Sequence, residues 1–140
     1  MIKAFSDSST VDNKSAATSI FLTNTQYLGI ITDVYTNVES ATEGELIAVI
    51  QSLKHIKENY PEEVNVVLYC DCISIVSQCR TIIRDKAIPA NVKYRKRWEE
   101  FLSLIDGLDI RIRHIHAHQE SHNSNKVCDK LSNVVAQRMR

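Results

Sequence analysis

The N-terminal part of the chain alternates between apolar and polar positions in a way that predicts β-strands. Residues 2–7 alternate loosely, and the segments 17–23 and 27–38 are rich in β-branched and aromatic side chains. Between these segments lie Ser, Asp, Asn and Thr residues, at 9–15 and at 24–25, which favour turns. The pattern therefore predicts three antiparallel strands joined by two turns.

From Thr42 onward the period of the apolar residues becomes helical. Apolar side chains recur at three- and four-residue intervals, at Leu46, Val49, Ile50, Leu53 and Ile56. Thr42 and Glu45 have the spacing of a capping box, so the sequence predicts a helix that begins at Thr42. We expect it to end near Asn59, because Pro61 cannot continue it.

The second half of the chain alternates strand and helix patterns. The apolar run 64–70 predicts a central strand covered on both faces, and 74–83 a helix. A loop at 84–94, a helix at 95–107 closed by Gly107, an alternating strand at 109–118 and an amphipathic helix at 124–140 follow. The order β-β-β-α-β-α-α-β-α predicts an α/β fold with a mixed sheet and helices on its faces.

Composition and charge favour one ordinary globular domain spanning residues 1–140. The chain is 44% hydrophobic and 24% charged, with only 3 glycines and 2 prolines, which argues against disorder and linkers. Neither a membrane span nor a signal peptide is recognisable, so we expect a cytoplasmic monomer with free cysteine thiols. The 17 basic and 17 acidic residues cancel, so no overall field indicates a partner.

Four acidic residues lie within or beside apolar segments, one in each of four predicted elements: Asp7, Glu45, Asp71 and Asp129. Each alone has a plain explanation: a turn residue at Asp7, a helix-start charge at Glu45, a cap at Asp71 and a solvated helix face at Asp129. Together they indicate a metal site, because mutually repelling carboxylates converge around a cation. Asp71 follows a buried strand, at the end where α/β sheets collect ligand-binding groups.

The order of elements and the placement of these acids resemble the type 1 ribonuclease H family over the entire chain. The motifs that carry the resemblance are FSDSS with Asp7, EGELIAVIQSL with Glu45, LYCDCISIV with Asp71, HAHQESHNSN with His118 and VCDKLS with Asp129. The resemblance implies a ribonuclease H-like, mixed five-stranded sheet with helices on both faces. It also implies an endonuclease that hydrolyses the RNA strand of RNA/DNA hybrids.

The resemblance implies a two-metal-ion mechanism using Mg²⁺ or Mn²⁺, with two ions present when substrate is bound. Asp7 would bridge both ions, Glu45 and Asp71 would hold the ion on the nucleophile side, and Asp129 would complete the other. His118 matches a mobile histidine that helps protons leave the site. We therefore expect five catalytic residues, of which the four acids are metal ligands.

Contacts to nucleic acid are expected from two groups of residues. Ser8, Thr42 and Asn125 match positions near the substrate, and the basic segment 80–97 would grip the DNA strand, chiefly through Lys93, Arg95, Lys96 and Arg97. This segment contains seven basic residues and one acid, Asp85. A solvated surface loop is the competing interpretation, and we expect Trp98 to lie in the core.

The chain departs from the family pattern beside two of the acids. Ser8 replaces the usual glycine after Asp7, and Ala41 and Thr42 replace paired asparagines before Glu45. Discrimination of RNA through its 2′-hydroxyl needs placed polar groups, so substrate choice stays open. The alternatives are a nuclease acting on DNA or junctions, and a binding or interaction module without turnover.

Three alternating histidines, His114, His116 and His118, also admit a zinc site with Cys70 or Cys72. Their spacing matches no familiar zinc pattern, which favours histidines that face solvent near the acidic site.

Overall fold

The computed structural model describes residues 1–115, which form a five-stranded sheet and three helices. The strands are β1 (Ile2–Val11), β2 (Lys14–Leu22), β3 (Tyr27–Tyr35), β4 (Asn65–Cys70) and β5 (Asp109–His114). The helices are α1 (Ala41–Asn59), α2 (Ile73–Asp85) and α3 (Arg95–Ile105). The mixed α/β fold predicted from the sequence is confirmed.

The sheet has the strand order β3-β2-β1-β4-β5. β1 pairs antiparallel with β2, which pairs antiparallel with β3, while β1–β4 and β4–β5 are parallel. Alternate residues of the strands, such as Ala4, Leu68 and Ile112, share one core with the buried sides of α1, α2 and α3. The described helices therefore pack on one face of the sheet.

The first hairpin differs from the prediction. β1 runs to Val11 rather than ending near Asp7, and the turn consists of Asp12 and Asn13 alone, with φ of 51° and 62°. Asn and Asp tolerate this left-handed conformation, which two-residue hairpin turns require. Ser9 and Thr10 belong to the predicted turn at 9–15, but they pair with β2, so β1 continues past Asp7 and Asp7 lies inside a strand.

The start of α1 also differs from the predicted capping box. Ser40 is the N-cap: its side chain accepts a hydrogen bond from the Glu43 backbone N–H at 3.2 Å. Thr42 lies in the first turn and is exposed. The capping pattern is thus shifted two residues toward the N-terminus, while the predicted apolar face of α1 is confirmed, since all five of its residues are buried.

Gly44 allows the first turn of α1 to approach the sheet closely. A Cβ atom at this position would lie 2.5 Å from Ser15 Oγ and 2.6 Å from Thr10 Oγ1, both of which belong to the first hairpin. Any side chain would push the helix outward. The glycine therefore helps to set the height at which Glu45 lies over β1.

The remaining elements follow the prediction closely. α2 and α3 flank the predicted loop, Gly107 has a φ of +79° just beyond α3, and Trp98 is only 2% exposed, as expected for a core residue. The helix predicted at 124–140, and His116, His118, Asn125 and Asp129, lie outside the described residues. Across residues 1–115, no helix is long and apolar enough to cross a membrane.

Candidate active site

The candidate site lies where β1 and β4 separate. Their parallel pairing ends at Phe5 and Tyr69, whose stacked rings have centroids 4.4 Å apart. Beyond this point β1 is paired with β2 and no longer with β4. Asp7 lies just past this point and is 2% exposed. Asp71 follows the end of β4. The connections that follow β1 and β4 lie on opposite sides, so a crevice opens between the two strands, and both acids lie in it.

Glu45 reaches the same crevice from α1. Its Oε1 accepts a hydrogen bond from Ser8 Oγ at 3.0 Å, which orients the carboxyl group toward the sheet. Burial raises the pKa of Glu45 to about 8; the negative charge of Asp71 contributes to this rise, and hydrogen bonds with Asp7 and Ser8 oppose it. Three of the predicted acids therefore lie close together, so the state in which all three carry a negative charge is unfavourable.

A divalent cation fits this arrangement. Oxygen atoms of Glu45 and Asp71 lie, together with the sulfur of Cys70, within 4.8 Å of one another. Glu45 Oε2 is buried and has no hydrogen-bond partner among the described residues. Carboxylate oxygens are the ligands that Mg²⁺ and Mn²⁺ prefer, and a cation would relieve the repulsion by Asp71 that adds to the effect of burial on the pKa of Glu45.

Cys70 is a member of this group that the acid pattern did not include. Its side chain is fully buried, and burial raises the pKa of the thiol well above its usual value, with the charge of Glu45 adding to the effect. A neutral buried thiol is a poor ligand for a hard cation. The sequence signal that could have identified Cys70 is its position at the end of the strand, immediately before Asp71.

The zinc site that the sequence also admitted is supported by the position of Cys70, but by no histidine among the described residues. His114 is half-buried and its Nε2 lies 3.1 Å from the backbone oxygen of Asp71, which places its ring beside the crevice. Within residues 1–115, the group of possible metal ligands that contains Cys70 does not include His114. The donors that meet are therefore mainly carboxylates, which suits magnesium or manganese better than structural zinc.

The basic segment lies next to the N-terminus of α1, and a residue of α3 makes the contact. Lys93, Arg95 and Lys96 are exposed, whereas Arg97 is half-buried and its Nε lies 3.3 Å from Glu43 Oε2. Glu43, which sequence reasoning missed, thus connects the start of α1 to the basic segment. No local pattern identifies such a contact, because its partners are far apart in sequence.

The structure therefore brings Asp7, Ser8, Glu45 and Asp71 together, with Thr42 exposed on the adjoining turn of α1. It places Lys93, Arg95, Lys96 and Arg97 on the neighbouring segment. The roles expected for His118, Asn125 and Asp129 stay predictions, since these residues lie outside the described part of the chain.

Solved structures share this fold at low sequence identity. RNase H1 from the halophilic archaeon Halobacterium salinarum NRC-1 is 16% identical, with a TM-score of 0.77 over 99% of this chain and 98% of the other. LC11-RNase H1, in complex with an RNA/DNA hybrid, is 13% identical, with a TM-score of 0.78 over 99% of both chains. The PFV RNase H domain is 14% identical, with a TM-score of 0.73 over 97% of this chain and 93% of the other.

Sequence comparison gives the family directly. The search of curated proteins gave no significant match. The sequence profile of the RNase H family, however, matches residues 1–137, almost the whole chain. This chain belongs to the RNase H family and is a ribonuclease H-like endonuclease, a phosphodiester hydrolase of a family that generally uses divalent metal ions.

Proposed function

We propose that this protein hydrolyses the RNA strand of RNA/DNA hybrids by a two-metal-ion mechanism that uses Mg²⁺ or Mn²⁺. The observation that carries the proposal is the convergence of Asp7, Glu45 and Asp71 in one crevice, with a buried Glu45 oxygen that lacks a hydrogen-bond partner among the described residues. The likeness to LC11-RNase H1, whose structure contains an RNA/DNA hybrid, supports this choice of substrate.

The protein's own residues would hold the ions and orient the phosphate. Asp7, Glu45 and Asp71 supply carboxylate oxygens on one side, and Asp129 is proposed to complete the site. When bound, two divalent ions would activate the attacking water and neutralise charge on the leaving oxygen. Ser8 keeps the Glu45 carboxyl in place, and His118 is proposed to carry protons away from the site.

Substrate would be positioned by the exposed cations next to the crevice. Lys93, Arg95 and Lys96 are proposed to contact phosphates, which fixes the register without reading sequence. Thr42 and Asn125 are proposed to lie against the substrate near the cleaved bond. Arg97 belongs to the same basic segment, although its described partner is Glu43.

A second candidate substrate is DNA or a structured junction. Ala41 offers no polar side chain at the exposed start of α1, and the Ser8 hydroxyl is already donated to Glu45. Both positions would otherwise be available to sense a 2′-hydroxyl. These two observations weaken RNA discrimination without affecting the metal-binding carboxylates.

A cleavage panel tests the choice between these substrates. Purified protein would be incubated with Mg²⁺ or Mn²⁺ and an end-labelled RNA/DNA hybrid, double-stranded RNA, duplex DNA or a four-way junction of related sequence. We expect cleavage of the RNA strand of the hybrid at a rate about 100-fold above the other substrates, well below the discrimination of a site with dedicated hydroxyl contacts. Faster cleavage of DNA or junctions would overturn the hybrid assignment.

A further inference from the structure

Glu43 ties the start of α1 to α3. Its side chain is buried, with the residue 8% exposed. One oxygen accepts a hydrogen bond from the Glu39 backbone N–H at 2.6 Å, and the other accepts one from Arg97 Nε at 3.3 Å. Because both carboxylate oxygens are used, Glu43 fixes the chain entering α1 and the first turn of α3 at the same time.

Ser40 and Tyr94 make a second tie between the same helix ends. The Ser40 side chain caps α1, and it shares a short hydrogen bond with the Tyr94 hydroxyl. Tyr94 immediately precedes α3 and has a φ of 62°, a left-handed conformation that is uncommon for an aromatic residue. We call Ser40, Glu43, Tyr94 and Arg97 the α1–α3 junction.

The junction lies between the acidic crevice and the exposed cations. Glu45, two residues beyond Glu43, points into the crevice, while Lys93, Arg95 and Lys96 flank Tyr94 and Arg97 in sequence. Tyr94 also borders two open cavities of about 900 and 330 Å³, of which the larger is lined by Arg95 and Lys96 and the smaller by Thr42 and Lys93. The junction therefore sets the spacing between groups proposed to bind phosphates and groups proposed to cut.

We propose that Glu43 and Tyr94 are positioning residues that hold the basic segment at a fixed distance from the acidic crevice, and that Arg97 acts through Glu43 rather than on a phosphate. The inference rests on the proposed function and deepens it. Its consequence is that the junction contributes to substrate binding and leaves the chemical step unchanged, because the hydrogen bonds that define it join Glu43 to Glu39 and Arg97, and Ser40 to Tyr94.

The test compares two mild junction variants with a matched control. Glu43→Gln removes the charge that holds Arg97, and Tyr94→Phe removes one hydroxyl. Lys54→Gln is the control, because Lys54 and Glu100 form another α1–α3 ion pair, at 2.7 Å, that includes no junction residue. We expect KM for the hybrid to rise about 5- to 10-fold in both junction variants, with kcat within about twofold, and neither to change in Lys54→Gln.

Two further readouts separate positioning from mere stability. Binding of the uncleaved hybrid in chelator, followed by fluorescence anisotropy, should weaken by the same factor as KM rises. The double variant Glu43→Gln with Arg97→Gln should bind no worse than either single variant, because the two residues act as one unit. Variants that lower only the melting temperature while KM stays at the wild-type value would overturn the inference.

The direction of the Glu43→Gln effect also decides the role of Arg97. If Arg97 contacted phosphate directly, releasing it from Glu43 would lower KM, and that result would overturn the positioning role. A wild-type protein that cleaves the hybrid while its junction variants behave like Lys54→Gln overturns the inference alone. A wild-type protein that cleaves no hybrid overturns the proposed function, and the inference with it.

Discussion

The acidic crevice and the basic segment differ in how their charges are accommodated. In the crevice, buried and half-buried carboxyl groups lie close together, and the pKa of Glu45 rises to about 8 because burial and Asp71 disfavour its charge. In the basic segment, charges are exposed or paired, as Arg95 is with Glu99 and Arg97 with Glu43. The carboxyl groups of the crevice thus repel one another in the absence of a cation, whereas the charges of the basic segment cost the folded state little free energy.

This contrast indicates that the two regions respond differently to substitution. Neutralising an acid of the crevice should relieve the fold while removing activity, which is the behaviour of a site built for a ligand. Neutralising a basic residue should leave the fold unchanged and reduce only binding. Four experiments test this difference between the two regions, and they follow in order of decreasing expected effect.

Asp7→Asn should give the largest effect. Asp7 is buried at the point where the acids meet, so loss of its charge removes a proposed bridge between both ions. We expect kcat/KM on the hybrid to fall at least about 1,000-fold. The melting temperature of the metal-free protein should stay equal or rise. A variant that keeps a tenth of wild-type activity would show that Asp7 is structural.

Divalent metal should stabilise the wild-type protein. Binding to the folded state alone raises the free energy of unfolding by about 2.7 kcal/mol when the free metal is 100 times its Kd, and lowers the electrostatic repulsion as well. We expect the melting temperature to rise by several degrees in millimolar Mn²⁺ or Mg²⁺, measured by differential scanning fluorimetry.

The matched variant for this measurement is Glu45→Gln, which keeps the size of the side chain and removes the proposed ligand charge. Its metal-induced shift should be at most half that of wild type. An equal shift in both proteins would place the metal somewhere other than the crevice.

The stability of the metal-free protein should depend on pH through Glu45. Its pKa is raised from 4.5 to about 8, so between these values the folded protein holds a proton that the unfolded chain has released. The free energy of unfolding therefore falls as the pH rises through this window and levels off above it, by roughly 1–3 kcal/mol. Urea unfolding in chelator at several pH values measures this slope.

Two variants show whether Glu45 is the group responsible for that slope. Glu45→Gln should flatten it, because no proton is exchanged at that position. Glu62→Gln changes an exposed glutamate at the other end of α1 and should keep the wild-type slope. A flat profile in the wild type would mean that the crevice tolerates its charges without a cation.

Lys96→Gln should have the smallest effect. Lys96 is exposed and has no ion-pair partner among the described residues, so its loss removes at most one phosphate contact. We expect binding of the hybrid to weaken about 2- to 5-fold and the slope of log K against log salt to fall by about one. An unchanged salt slope would indicate a solvated surface residue.

Much of this organisation could be predicted from local patterns. The apolar face of α1 and the core position of Trp98 follow from periodicity and size, and Asp71 follows from its place after an apolar strand. These features depend on residues that are close in sequence, or on a rule that holds for all sheets of this class. The structure confirms them with small changes at the element ends.

The features that could not be predicted depend on long-range pairing. Ser8 and Thr10 have the composition of a turn, yet they belong to a strand because β2 offers hydrogen bonds and Gly44 lets α1 cover them. The ion pair of Glu43 with Arg97 joins residues far apart in the chain, and the Cys70 thiol enters the crevice only once α1 lies over β4.

The catalytic role of the acidic crevice is tested most simply by the cleavage of a labelled RNA/DNA hybrid by the wild-type protein and by Asp71→Asn, side by side in Mg²⁺ or Mn²⁺. We expect that the wild type cuts the RNA strand and that Asp71→Asn, folded and equally able to bind the hybrid, cuts it at least about 1,000-fold more slowly. Equal cleavage by both proteins, or binding of the hybrid by the wild type without any cleavage, would contradict that role.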